Sequence, residues 1–142
     1  MPIDEETRAL REHRESIVRE HMESENVHAF DRTMATFEHP RYELIATDQI
    51  HAGREAVMEY FRVSRAAFPD QRNELIALHH ADDAVITEFW LLGTHRGPLA
   101  GLEPTGREFR CRMTAFFVFE GRKLVCERVY FDSATILRQL TV

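Results

Sequence analysis

"EFRCRMTAFFVFEGRKLVCERVYFD" spans residues 108–132, and its reading decides the fold. Two strand-like runs, "EFRCRMTAFFVFE" and "KLVCERVYFD", flank Gly121-Arg122, which reads as a two-residue hairpin turn. Glu120 then faces Lys123, an opposite-charge pair. Counting back, Phe119 opposes Leu124, Phe117 opposes Cys126, Ala115 opposes Arg128, Met113 opposes Tyr130 and Cys111 opposes Asp132. In this register Asp132 shares a face with Cys111, Met113, Ala115, Phe117 and Phe119. A bulge would shift the register and void the inference.

Working outward, "SATILRQL" follows as a short helix with Ser133 as its N-cap and Ile136, Leu137 and Leu140 as its apolar stripe. Upstream, "RNELIALHH" and "DAVITEFWLLGTH" read as two more strands. Four strands without a crossover helix form an antiparallel meander. Before them, "REAVMEYFRVSRAAF" is helical, opened by Gly53 and stopped by Pro69-Asp70, and "YELIATDQI" is a short strand. Residues 5–25 carry Leu10, Ile17, Val18 and Met22 on one helical stripe amid Arg and Glu. Val27, Phe30, Met34 and Phe37 recur at i, i+3, i+7 and i+10, a second amphipathic helix ended by His39-Pro40. Segregated helices and antiparallel strands give an α+β fold, read as one domain over residues 1–142.

The 142 residues suffice for a core, and the net charge of −6 argues against nucleic acid as the main partner. No apolar run approaches the length of a membrane span. The charged start, MPIDEETRALREH, lacks a signal-peptide core, so the expected location is cytoplasmic. Cys111 and Cys126 have no metal-ligand spacing, and no disulfide is expected there.

An aspartate on an apolar face is costly unless it is neutralised, hydrogen-bonded or solvated by a pocket. Desolvation would raise its pKa and suit it to trade protons. Asp132 is therefore either a pocket acid or a cap on the closing helix. Arg128 and Tyr130 alternate with it on the derived face. Arg128 could hold an anionic substrate and Tyr130 could polarise a carbonyl, or both could reach solvent. Glu88 and Trp90 lie inside a strand whose face the long loop hides. Trp90 could wall a cavity, and Glu88 is a pocket carboxylate or a residue at a dimer surface. Among eight histidines, His39, His79, His80 and His95 lie in different elements without ligand spacing, so no metal is expected. His13, His21 and His28 read as solvated helix residues. Phe131, Val129, Val118 and Phe116, on the face opposite Asp132, predict a homodimer.

"GREAVMEYF", "PDQRNELIALHHADDAVITEFWLLGTHRGPLAGLEPTGREF" and "VFEGRKLVCERVYFDSATILRQL" resemble the SnoaL-like polyketide (ester) cyclase family, of the superfamily with the nuclear transport factor 2 fold. The resemblance covers most of residues 40 to 140. It implies a cone: a curved antiparallel sheet wrapped by helices around a pocket. It also implies a role for residues 93–109, which hold four of the six glycines and two of the five prolines. This loop would cross the pocket region, with Thr94, His95 and Leu99 at the rim. Family members often carry Trp where this chain has Arg128 and Asp where it has Ala115. In the characterised cyclases a last-strand aspartate is the acid–base of an aldol ring closure, and Asp132 matches it. The implied protein is a cofactor-free enzyme acting on a small apolar carbonyl compound. Asp132, Tyr130 and His95 would be catalytic, with Arg128, Trp90, Phe117, Met113, Leu99 and His39 around the substrate. The alternatives are a non-catalytic binding or dimerisation module, and an epoxide hydrolase with Glu88 as second carboxylate.

Overall fold

The computed structural model describes residues 2–141. Helix α1 (Glu5–Asn26) starts where Asp4 accepts the Thr7 backbone N–H at 2.7 Å. It buries Arg14, Val18, His21, Met22 and Ser24. That stripe follows the 3.6-residue period of a helix with one face inward. Helix α2 is only Phe30–Ala35. The longer helix expected from Val27 onward is cut short because His28 takes a left-handed φ of 54°, leaving Val27 56% exposed.

The expected single strand at "YELIATDQI" is instead a small hairpin. Strand β1 (Arg41–Leu44) and strand β2 (Gln49–Ala52) are antiparallel, joined by a 3-10 turn at Ile45–Thr47 and a left-handed Asp48. Helix α3 (Arg54–Ala67) follows. The meander is as read from the sequence: β3 (Arg72–His80), β4 (Ala84–Thr94), β5 (Glu108–Glu120) and β6 (Lys123–Tyr130). Helix α4 (Ser133–Thr141) follows β6 where the sequence reading placed a short closing helix.

The sheet order is β2-β1-β6-β5-β4-β3. Its one parallel pair is β1 with β6, a departure from the wholly antiparallel sheet expected. Its curved inner face and the helices enclose one apolar cluster containing Val18, Val57, Phe61, Ala115, Phe117 and Leu124. Two polar devices hold α1 across this concavity. Arg14 donates to the carbonyls of Gly121 (2.8 Å) and Asp82 (2.9 Å), tying two hairpin turns to the helix. Asn26 and Asn73 exchange bonds of 3.0 and 2.7 Å, tying the helix end to β3.

The β5–β6 register begins as derived, with Glu120 opposite Lys123 and Phe119 opposite Leu124. It then slips. Val118, not Phe117, pairs with Cys126, so Val125 is the extra residue of a β-bulge. Because side chains alternate along a strand, one extra residue exchanges the faces of everything beyond it. Glu127 now opposes Phe117 and Val129 opposes Ala115, both inward, while Arg128 opposes Phe116 and Tyr130 opposes Thr114, both outward.

Candidate functional site

Met22, Glu25, Asn26, Tyr42, Tyr60, Arg65, Gln71, Arg72, Asn73, Phe89, Leu91, Met113, Phe117, Glu127 and Val129 surround a cavity of about 50 Å³. The charged cluster at its wall is assembled from four elements. β1 and β6 are neighbours, and their pairing sets Tyr42 beside Glu127. Helix α1 adds Glu25 one turn beyond His21, on the same face. Helix α3 adds Arg65, one turn beyond the buried Phe61.

His21 is wholly buried behind this wall and fastens it together. Its Nε2 lies 2.8 Å from the Tyr42 hydroxyl, 3.0 Å from Glu127 Oε1 and 3.2 Å from Glu25 Oε1. Its Nδ1 lies 2.9 Å from Thr36 Oγ1. The Thr36 hydroxyl already donates to the Thr33 carbonyl at 2.6 Å, so its oxygen accepts from Nδ1–H. That bond leaves Nε2 to serve the three oxygens. The rings of Phe37 and Phe117 meet the imidazole edge to face at 5.3 and 5.1 Å.

The charges follow from burial and pairing. Burial alone would lower the His21 pKa, but the Glu25 charge and the bonds to both carboxylates outweigh it and raise it to about 9. Burial would raise Glu25, yet the His21 cation, with help from Arg65, holds it below the usual range. For Glu127, burial and the nearby Glu25 charge both push upward and exceed the pull of His21, so its pKa is raised. Burial, then the two carboxylates, lifts Tyr42 well above 10. Burial likewise pushes Tyr60 up to about 12. The cluster therefore holds two cations, His21 and Arg65, one firm anion, Glu25, neutral phenols, and a second carboxyl, Glu127, whose affinity for a proton is raised.

His21, Glu25 and Glu127 also place one donor atom each within 4.8 Å of the others, a spacing that could hold a cation. Here the protonated His21 and the Arg65 guanidinium, 3.5 Å from Glu25, already balance the carboxylate charge.

The site residues expected from sequence fall elsewhere, with two exceptions. Met113 and Phe117 line the cavity. Asp132 does not face the enclosed side. It is exposed and caps α4, accepting from the Ala134 N–H at 3.1 Å and the Thr135 hydroxyl at 2.9 Å, so the cap is Asp132 rather than Ser133. Tyr130 is 42% exposed on the outer face. Arg128, also outer, bonds Glu43 at 2.8 Å. The bulge at Val125 is the reason for both. Trp90 and Glu88 are outward as well: Arg110 stacks on the Trp90 ring at 3.8 Å and Arg112 bonds Glu88 at 2.8 Å. Glu88 thus cannot serve the cavity as a second carboxylate. His39 is exposed.

The glycine-rich loop is fastened to the end of α3. The Arg96 and Gly97 N–H groups donate to the Ala67 carbonyl at 2.9 and 3.2 Å, and Thr94 holds Asp70 through bonds of 2.6 and 2.7 Å. A Cβ on Gly97 would stand 2.1 Å from the Ala66 carbonyl oxygen, so only glycine permits this approach. His95 is buried against Phe68, its Nδ1 accepting from the Thr105 N–H at 3.1 Å. Leu99 packs on the core. Among the described residues, Thr94, His95 and Leu99 are not part of the cavity wall.

The sequence reading missed His21, Glu25, Tyr42, Arg65 and Glu127. For His21 and Glu25 a signal existed: they fall on the helical stripe of Val18 and Met22.

Comparison with known proteins agrees with this architecture. The sequence profile of the family described as SnoaL-like polyketide cyclase matches residues 13–140. No curated protein matches in sequence. Among solved structures, a candidate polyketide cyclase of Xanthomonas campestris pv. campestris superposes with a TM-score of 0.81 at 18% identity, covering 92% of this chain and 98% of its own. IdmH, a candidate polyketide cyclase of Streptomyces antibioticus, gives 0.77 at 22% identity, with 90% and 98% covered. A nuclear transport factor 2-like protein of unknown function from Burkholderia pseudomallei gives 0.78 at 15%, with 92% and 98% covered. These likenesses show the fold.

Proposed function

This chain belongs to the SnoaL-like polyketide cyclase family, and we propose that it moves a proton next to the carbonyl of a small substrate, with Glu127 as the proton-transfer group. The observation that carries the reading is a raised-pKa carboxyl on the wall of a buried cavity lined by both polar and apolar side chains, beside a phenol fixed by a buried imidazolium. Glu127 as carboxylate takes the proton from the carbon beside the carbonyl. The C–H pair moves into the new enolate, and its oxygen is stabilised by the Tyr42 hydroxyl. The same proton returns at carbon for isomerisation, or the enolate carbon attacks a second carbonyl for ring closure and the alkoxide formed takes the proton from Glu127. His21 is a positioning residue: it orients Tyr42 and Glu127 and offsets their charge. The cavity is narrow and its wall mixes apolar side chains with polar ones, so the favoured substrate is a small carbonyl compound.

Deuterium incorporation from heavy water into acetylacetone and cyclohexanone, followed by NMR, tests this without knowledge of the natural substrate. Glu127→Gln should lower the exchange rate roughly 100-fold or more. Equal rates for wild type and variant would remove the assignment. Tight binding of a ketone with no exchange in wild type would favour the binding module.

The homodimer expectation also carries forward as a proposal. Ile86, Phe116, Val118 and Tyr130 share the outer face, whereas Val129 turns inward and is withdrawn from that surface. Light scattering showing a monomer at micromolar concentration would end it.

A further inference from the structure

Arg65 is held as a structural arginine seldom is: nearly buried and only partly satisfied. Its side chain is 10% exposed and it lines the cavity. The guanidinium lies against the rings of Phe30 and Phe61, its central carbon 5.1 and 5.3 Å from their centroids. Of its five N–H donors, one bonds Ser64 Oγ at 2.8 Å, and Nη2 stands 3.5 Å from Glu25, too long for a strong charge-assisted bond. Its Nε is buried without a hydrogen-bond partner among the described residues. Buried guanidinium groups are ordinarily paired, so an unmatched donor here is an unfilled requirement. Glu25 cannot meet it alone, because the same carboxylate also serves His21. Around Arg65 the wall adds the neutral amides of Gln71, Asn73 and Asn26, with Arg72 beyond them, while the rest is apolar.

We propose that the ligand of this cavity is a small keto acid whose carboxylate is held by Arg65 while its carbonyl carbon lies toward Tyr42 and Glu127. This deepens the proton-transfer reading and rests on it for the orientation of the carbonyl. A carboxylate supplies the two acceptor oxygens that a guanidinium fork is shaped to receive. Its oxygens answer the buried Nε of Arg65, which has no partner among the described residues.

Isothermal titration calorimetry with levulinate, phenylpyruvate and their methyl esters tests the proposal. The esters keep the ketone but lose the charge and carry one added methyl group. Wild type should bind at least one acid about 10- to 100-fold more tightly than its ester, the range of a hydrogen bond to a charged group. Arg65→Met should abolish that difference, and Arg65→Lys should keep part of it. If the Met variant fails to fold, a reduced but remaining acid preference on Arg65→Lys at an unchanged thermal midpoint decides in favour. Glu127→Gln should keep the acid preference while losing deuterium exchange, so failure of the catalytic reading leaves a separate mark. Esters binding as tightly as acids, acid preference surviving Arg65→Met, or no binding by either acid would overturn the proposal.

Discussion

Glu127 and Asp132 sit close together in sequence, one on β6 and one just past its end, yet they do opposite work. Glu127 is 6% exposed, raised in pKa and part of a four-element cluster. Asp132 is exposed and satisfied by the first turn of the next helix. Both are carboxylates on an apolar stretch. What separates them is the bulge at Val125, which turns one residue into the concavity, and the end of the strand, which releases the other to solvent. A carboxylate acquires chemistry from what encloses it, and one inserted residue decides which carboxylate is enclosed.

The sharpest way to break this comparison is paired substitution. Glu127→Gln keeps size and hydrogen bonding but cannot accept the proton, and should slow exchange roughly 100-fold or more. Asp132→Asn should leave the rate within about twofold, since asparagine caps as well as aspartate. Reversal of the two results would return the catalytic role to Asp132.

A second break removes what encloses Glu127. His21→Ala strips the shared cation from two buried carboxylates. The expected loss is roughly 3–5 kcal/mol in urea unfolding, the range for removing one partner of a buried pair. A loss under about 1 kcal/mol would mean that solvent, not His21, neutralises the acids.

The pH dependence sharpens the same point. Folding raises the His21 pKa from 6.5 to about 9, so the folded protein binds this proton more tightly than the unfolded chain. The stability it contributes is fully present below 6.5 and is lost as pH rises through 9. Glu127, also raised, acts in the same direction from 4.5 upward, whereas the lowered Glu25 contributes above 4.5 and loses that contribution as pH falls. Urea midpoints should therefore decline across the His21 window, and His21→Gln should flatten the decline. The His21 Cε1–H resonance should titrate near 9. A shift near 6.5 would show that the cluster leaves His21 unperturbed.

The meander and its strand limits were legible because β3 is bounded by turn chemistry and β5 is rich in strand-forming residues. The inner set of β5 was legible too, as strict alternation from Phe109 to Phe119. The site was not, for two physical reasons. "LVCERVY" can alternate in either phase, since it has apolar residues at both parities, and nothing in it marks Val125 as the extra residue. In α1, His21 and Glu25 looked like members of a solvated charged helix because their counter-groups come from β1, β6 and α3, far away in sequence. The stripe of Val18 and Met22 shows which side is buried; only the fold shows which polar groups meet there.

The smallest expected effect concerns the cap itself. In Asp132 the two carboxylate oxygens serve the Ala134 N–H and the Thr135 hydroxyl, and Arg138 approaches at 3.9 Å. Both the carboxylate and the arginine are largely exposed, so that ion pair adds little. Asp132→Ala would leave orphan donors in the first turn of α4 and should cost about 1 kcal/mol. Asp132→Asn can still accept at the N-terminus and should change stability by only a few tenths of that. The measurement is a pair of urea titrations at neutral pH, with deuterium exchange run on the same samples. An alanine variant as stable as wild type would show that Leu140, wholly buried, anchors α4 without a cap. An asparagine variant as destabilised as alanine would show instead that α4 depends on the negative charge at its N-terminus rather than on the hydrogen bonds.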